Sequence, residues 1–84
     1  MSSFASHLRF IVNQDGAVIL DIPRNQMVTL NATGGYIWDK LQRGKAVEEI
    51  VRELSMETNT DPHIVERDVD AFLEQLMSKH LLHD

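Results

Sequence analysis

The stretch Leu30-Asn31-Ala32-Thr33-Gly34-Gly35-Tyr36-Ile37-Trp38-Asp39-Lys40-Leu41-Gln42-Arg43-Gly44 is where the chain changes character. Asn31 stands where a helix N-cap is expected, since its short carboxamide can accept from a backbone N–H left unpaired in the first turn. Gly44 stands where a helix stops. Ile37 and Leu41 lie one turn apart and give the intervening helix an apolar stripe, with Trp38 alongside. Against this stands the pair Gly34-Gly35, each about 1 kcal/mol less favourable than alanine inside a helix. A sequence that tolerates this penalty uses the missing side chains, so that strand and helix backbones can lie close together. Residues before the stretch read as strands, and residues after it read as helices.

Upstream, residues 1–6 are small and polar apart from Phe4 and read as a loose end. Residues 7–13 alternate, with Leu8, Phe10 and Val12 on one face and Arg9, Ile11 and Asn13 on the other. Gln14-Asp15-Gly16 supplies a turn, Asp-Gly being a strong hairpin signal. A second strand over residues 17–22 places Val18, Leu20 and Ile22 on one side and Ala17, Ile19 and Asp21 on the other. Pro23-Arg24-Asn25 breaks it, and residues 26–30 form a third short strand containing Val28 and Thr29. The three strands make an antiparallel meander, too small to stand without a helical layer on one face.

Downstream, Val47, Ile50, Val51 and Leu54 fall at i, i+3, i+4 and i+7, with Glu48, Glu49, Arg52 and Glu53 on the outer face. That helix starts poorly, because Ala46 occupies the cap position; Glu48 and Glu49 compensate in part through the helix dipole. Asp61-Pro62 opens a third helix, expected to run to about Lys79, with Val65, Val69, Phe72, Leu73 and Leu76 as its core stripe. Ile64, Asp68, Ala71 and Gln75 form a neighbouring stripe that is half polar. Leu81 and Leu82 are expected to tuck back onto the core. The order gives an α+β, winged helix-turn-helix-like domain: a three-stranded antiparallel sheet followed by three helices, one domain over residues 1–84.

Composition narrows the function. The 84 residues support one modest core, and 43% apolar content with regular periodicity marks a folded chain. Without cysteine there is no disulfide framework, thiolate zinc site or cysteine nucleophile. No apolar run approaches the roughly 18 residues of a membrane helix and no signal segment opens the chain, so a cytoplasmic location without membrane contact is expected. His80 and His83 are three apart, but a solvated helix end explains them better than a metal site, which needs more ligands. His7 and His63 have no partner in sequence and read as surface residues. Asp68 and Asp70 flank Val69 and diverge on a helix; Asp70 and Glu74 read as a solvated face. No nucleophile elbow, phosphate loop or dinucleotide fingerprint is present, so no catalytic residue, metal or cofactor is expected. A winged helix could read DNA, yet the third helix carries Glu66, Asp68, Asp70 and Glu74 and the formal charge is −5. That sign opposes a phosphate backbone, and no nucleic-acid partner is expected.

The third strand remains as a candidate site. It would have one free side, with no lysine or proline between Gln26 and Leu30 to discourage pairing. If the half-polar stripe of the third helix lies beside it, an extended peptide could add as a fourth strand in the groove between them. The bland alternatives are a short solvated edge, or a homodimer through that sheet edge.

The ordered set Leu30-Asn31-x-Thr33-Gly34-x-x-Ile37-Trp38-x-x-Leu41-x-x-Gly44, then Val47-Glu48-Glu49-Ile50, then Asp68-Val69-x-x-Phe72-Leu73-x-x-Leu76, resembles the PqqD family of RiPP recognition elements. The resemblance runs from about Leu8 to Leu82. It implies the fold already read, and a non-enzymatic role: binding the leader segment of a ribosomally made precursor peptide, docked antiparallel on the third strand against the third helix. It therefore points to Met27, Val28, Thr29 and Leu30, and to Ile64, Arg67, Asp68, Ala71 and Gln75, as peptide-binding. Leu30, Ile37, Trp38, Val69 and Phe72 are expected to be mainly structural. The pyrroloquinoline quinone type carries Pro-Glu before the third strand and Cys-Asp-Gly after the first helix; here Asn25-Gln26 and Gln42-Arg43-Gly44 replace them. The chain is more similar to the stand-alone leader-binding proteins of lasso-peptide pathways, which implies a separate leader peptidase as partner. The alternative is a peptide chaperone for a radical-SAM or other RiPP maturation enzyme. Arg67 and Asp68 are expected to set register by charged hydrogen bonds, and Asp68→Lys or Val28→Pro to abolish capture.

Overall fold

In the computed structural model, which describes residues 8–82, three strands are followed by three helices: β1 (Leu8–Asn13), β2 (Gly16–Asp21), β3 (Gln26–Leu30), α1 (Ala32–Gln42), α2 (Val47–Thr58) and α3 (Pro62–Ser78). The expected loose end at residues 1–6, and His7 and His83, lie outside the described residues. The sheet is an antiparallel meander in the order β1-β2-β3, so β3 is an edge. Asn13 and Gly16 pair across the Gln14-Asp15 loop, and Asp15 N–H donates to Asn13 Oδ1 at 2.8 Å within the turn.

Each helix boundary has a local cause. Asn31 Oδ1 accepts from Gly34 N–H at 2.8 Å, and Asp61 accepts from His63 N–H at 2.9 Å ahead of Pro62. α1 ends as the glycine predicts: Gly44 takes φ 83°, its N–H reaches Leu41 O at 3.0 Å, and Lys45 N–H reaches Lys40 O at 3.1 Å. α3 ends the same way one residue earlier than expected, but on a histidine. His80 takes φ 62°, and Leu81 N–H bonds Leu76 O at 2.9 Å. That turn drives Leu81 and Leu82 into the core, as expected, and leaves His80 beyond the helix rather than on its face. Ala46 offers no side-chain cap to α2; only the return contact exists, Ala46 N–H to Glu49 Oε1 at 3.4 Å.

The core has two lobes that meet along Phe72, Leu73 and Leu41. One gathers Leu8, Ile19, Trp38, Leu76, Leu81 and Leu82 between sheet and helices, with Val28 and Leu30 packed against it. The other gathers Ile37, Ile50, Leu54, Val65 and Val69 among the helices. Trp38 is fully buried, and the Phe10 ring meets it edge-on with centroids 5.6 Å apart. On β2 the buried side is Ala17, Ile19 and Asp21, although Val18 and Leu20 are the more uniformly apolar pair. Asp21 is held inside by the turn after β2: Arg24 N–H donates to its Oδ1 at 3.3 Å, and Arg24 Nε lies 3.5 Å from Oδ2.

The glycine pair of α1 does two different things. A Cβ on Gly35 would stand 2.7 Å from the backbone carbon of Gly16, so α1 and the start of β2 touch backbone to backbone. Gly34 instead faces the Phe72 ring and the end of β3.

Candidate functional site

The hydrogen-bond ladder decides which groups of β3 are open. The two-residue loop makes Asn13–Gly16 a hydrogen-bonded pair, and such pairs recur at every second position of an antiparallel ladder. Gly16, Val18 and Leu20 therefore bond towards β1, while Ala17, Ile19 and Asp21 bond towards β3. Their partners Leu30, Val28 and Gln26 are thus satisfied within the sheet. Met27 and Thr29 are left pointing their N–H and C=O groups at the open side, where no strand lies among the described residues. Val28 accordingly donates inward, so the expectation that Val28→Pro deletes a docking donor is corrected: that change breaks the β2–β3 ladder. The loop length was the available signal.

Side chains follow the same alternation. Val28 and Leu30 turn to the helical side, half-buried, against the core lobe that contains Ile19, Trp38 and Leu76. Met27, 67% exposed, and Thr29 turn to the outer face of the sheet. A strand added to β3 would obey the same rule. Guest residues opposite Val28 and Leu30 would point to the helices, and those opposite Met27 and Thr29 would point outward.

On the helical side, just past the end of β3, lies a cleft of about 350 Å³. Its apolar walls include Ile37, Leu54, Val65 and Phe72, and its polar lining includes Asn31, Thr33, Asp68 and Gln75. Of the expected α3 residues, Asp68 and Gln75 line this cleft; Ile64, Arg67 and Ala71 are exposed on α3 and do not. The cleft follows Val65, Asp68, Phe72 and Gln75, along the border between the expected core stripe and the expected half-polar stripe of α3. Phe72, expected to be mainly structural, is both core and cleft wall, and Asn31 and Thr33 join it from the start of α1. Their polar side chains beside the third strand were the signal for them. The described end of the chain, Leu81-Leu82, packs with Leu8, Ile19 and Trp38 rather than filling this cleft.

The site's lining carries no cluster suited to a metal: among the described residues no three His, Asp or Glu side chains converge. No helix there is long and apolar enough to cross a membrane. An open edge beside an apolar cleft with a polar rim can bind an extended chain by its backbone and sort it by alternate side chains.

The family model for coenzyme PQQ synthesis protein D matches residues 16–82. The chain belongs to the PqqD family. Among solved structures similar to this PqqD-family chain is TbiB1 in complex with the TbiA(beta) leader peptide. It is 34% identical over 95% of this chain and 93% of that one, with a TM-score of 0.89. Lasso peptide synthetase B1 complexed with the leader peptide is 20% identical over 99% and 98% of the two chains, also with a TM-score of 0.89. The PqqD truncation of Methylobacterium extorquens PqqCD, described as a stand-alone RiPP recognition element, is 22% identical over 99% and 88%, with a TM-score of 0.77. The last two likenesses speak to the fold: the three-stranded sheet followed by three helices is that of the family. A comparison with curated proteins gives no match.

Proposed function

We propose that this protein is a non-catalytic recognition element. It captures the leader segment of a ribosomally made precursor peptide as a fourth strand on β3 and delivers it to a separate leader peptidase of a lasso-peptide pathway. The observation that carries this reading is the edge of β3: Met27 and Thr29 direct their main-chain groups to the open side, and the cleft that includes Asn31, Asp68, Phe72 and Gln75 begins just past the end of that strand. The similar TbiB1 was solved with a leader peptide, which supports the same class of guest here. Backbone pairing supplies affinity, and guest side chains on the helical side supply selectivity. Asp68 and Gln75 on the rim accept and donate hydrogen bonds to the guest, and exposed Arg67 steers it.

The test is fluorescence polarisation with a labelled leader segment of the precursor peptide encoded beside this gene, against a scrambled peptide of equal composition. Saturable binding of the leader alone supports the proposal; equal behaviour of the two peptides overturns it. A second reading keeps the guest and changes the recipient to a radical-SAM enzyme of another maturation pathway, and the family description, which names coenzyme PQQ synthesis, is the reason to test it. Pull-down of candidate enzymes with the leader-loaded protein separates the two.

A further inference from the structure

We propose that Gly34 is a positioning residue that sets the depth of the cleft at the end of β3, keeping room there for one large apolar side chain of the guest peptide. This rests on the leader-binding reading above and adds which guest position is selected, and for what.

Gly34 sits buried in the first turn of α1, where alanine would favour the helix. Its backbone does not demand glycine, since the positive-φ glycines are Gly16 and Gly44. Nor does the packing of α1 on β2 explain it, because Gly35 makes that close approach. What Gly34 lacks is a methyl group in a confined space: a Cβ would stand 3.2 Å from Phe72 Cε1, 3.3 Å from Asn31 Oδ1 and 3.3 Å from Leu30 Cβ.

Those neighbours border the cleft or the strand end beside it. Asn31, Gly34 and Phe72 are themselves lining residues. Asn31 is fixed as the cap of α1 by its bond to Gly34 N–H, and Leu30 is fixed by its pairing with Ala17. The Phe72 ring is the member that can yield. It is packed against both lobes of the core, so an added methyl turns it towards the cleft rather than inward. The space it would enter begins just past Leu30, at Asn31 and Gly34. By the alternation of the ladder, the guest residue opposite Leu30 turns to this helical side and is the one placed to reach that space. Ile37, Leu54 and Val65 make the facing walls apolar, which suits a large apolar side chain.

The experiment measures the labelled leader against wild-type protein and Gly34→Ala, with leader variants in which each large apolar residue is singly truncated to alanine. The expected result is a loss of about tenfold or more in affinity for the intact leader, as overpacking a filled site produces. The melting temperature stays equal or rises. For one truncated leader the two proteins bind alike, because the missing side chain frees the space the methyl takes. Phe72→Leu added to Gly34→Ala restores much of the affinity for the intact leader. The inference is overturned if Gly34→Ala binds the intact leader as wild type does, if its loss is the same for every leader variant, or if it melts markedly lower. A wild-type protein that ignores the leader overturns the proposed function instead.

Discussion

Replacing Thr29 by proline removes one N–H from the open edge of β3 and leaves the β2–β3 ladder untouched, since Thr29 does not bond towards β2. Proline is tolerated on an edge strand whose N–H faces solvent, so the fold should lose no more than about 1 kcal/mol. A bound guest strand, however, is left with a carbonyl that faces a ring carbon. An acceptor stripped of its donor costs about 1–3 kcal/mol, roughly 5- to 150-fold in affinity. Val28→Pro has the opposite signature. It strands the Ile19 carbonyl inside the sheet and removes a half-buried side chain, so stability falls by about 2–4 kcal/mol. Urea unfolding followed by Trp38 fluorescence reads the first quantity, and polarisation of a labelled leader reads the second. Thr29→Pro binding the leader as tightly as wild type would refute the assignment of outward groups, as would Val28→Pro keeping full stability.

Three other substitutions test the packing and the helix ends. Gly35→Ala drives a methyl into the Gly16 backbone and should destabilise by about 2 kcal/mol or more despite alanine's better helix propensity, visible as a lower urea midpoint. Ala46→Ser completes the cap whose return contact from Glu49 already exists, and should raise stability by about 1 kcal/mol in the same assay. His80→Gly relieves a left-handed residue at the end of α3 and should stabilise by about 1 kcal/mol; a loss would show that the imidazole itself contributes there.

The parts of this fold legible in the sequence are those decided within a few residues. Asn31, Gly44 and Asp61-Pro62 fix helix ends through bonds to their own neighbours, and the structure forms them where the sequence predicts. What depends on the mating of layers is not legible in that way. Hydropathy alone does not choose between the two sides of β2. The inner side is Ala17, Ile19 and Asp21, and α1 closes on the start of that strand through Gly35 against Gly16, a contact between residues far apart in the chain. The cleft on α3 shows the same limit. The core stripe of α3 forms as expected, but the sequence does not show that its margin stays uncovered by the other helices, so that Val65 and Phe72 double as cleft walls beside Asp68 and Gln75. The direction of each β3 main-chain group lies between these cases. It is readable from a two-residue loop, but only once the pairing of three strands is traced from β1 to β3.

The ledge formed by Met27 and Thr29 is short. Two residues along a strand span only about 7 Å, so a visitor is grasped at its spine over little more than one repeat. So short a backbone contact favours visitors that also seat a side chain in the crevice past the strand's end, and that second contact decides which of them stays.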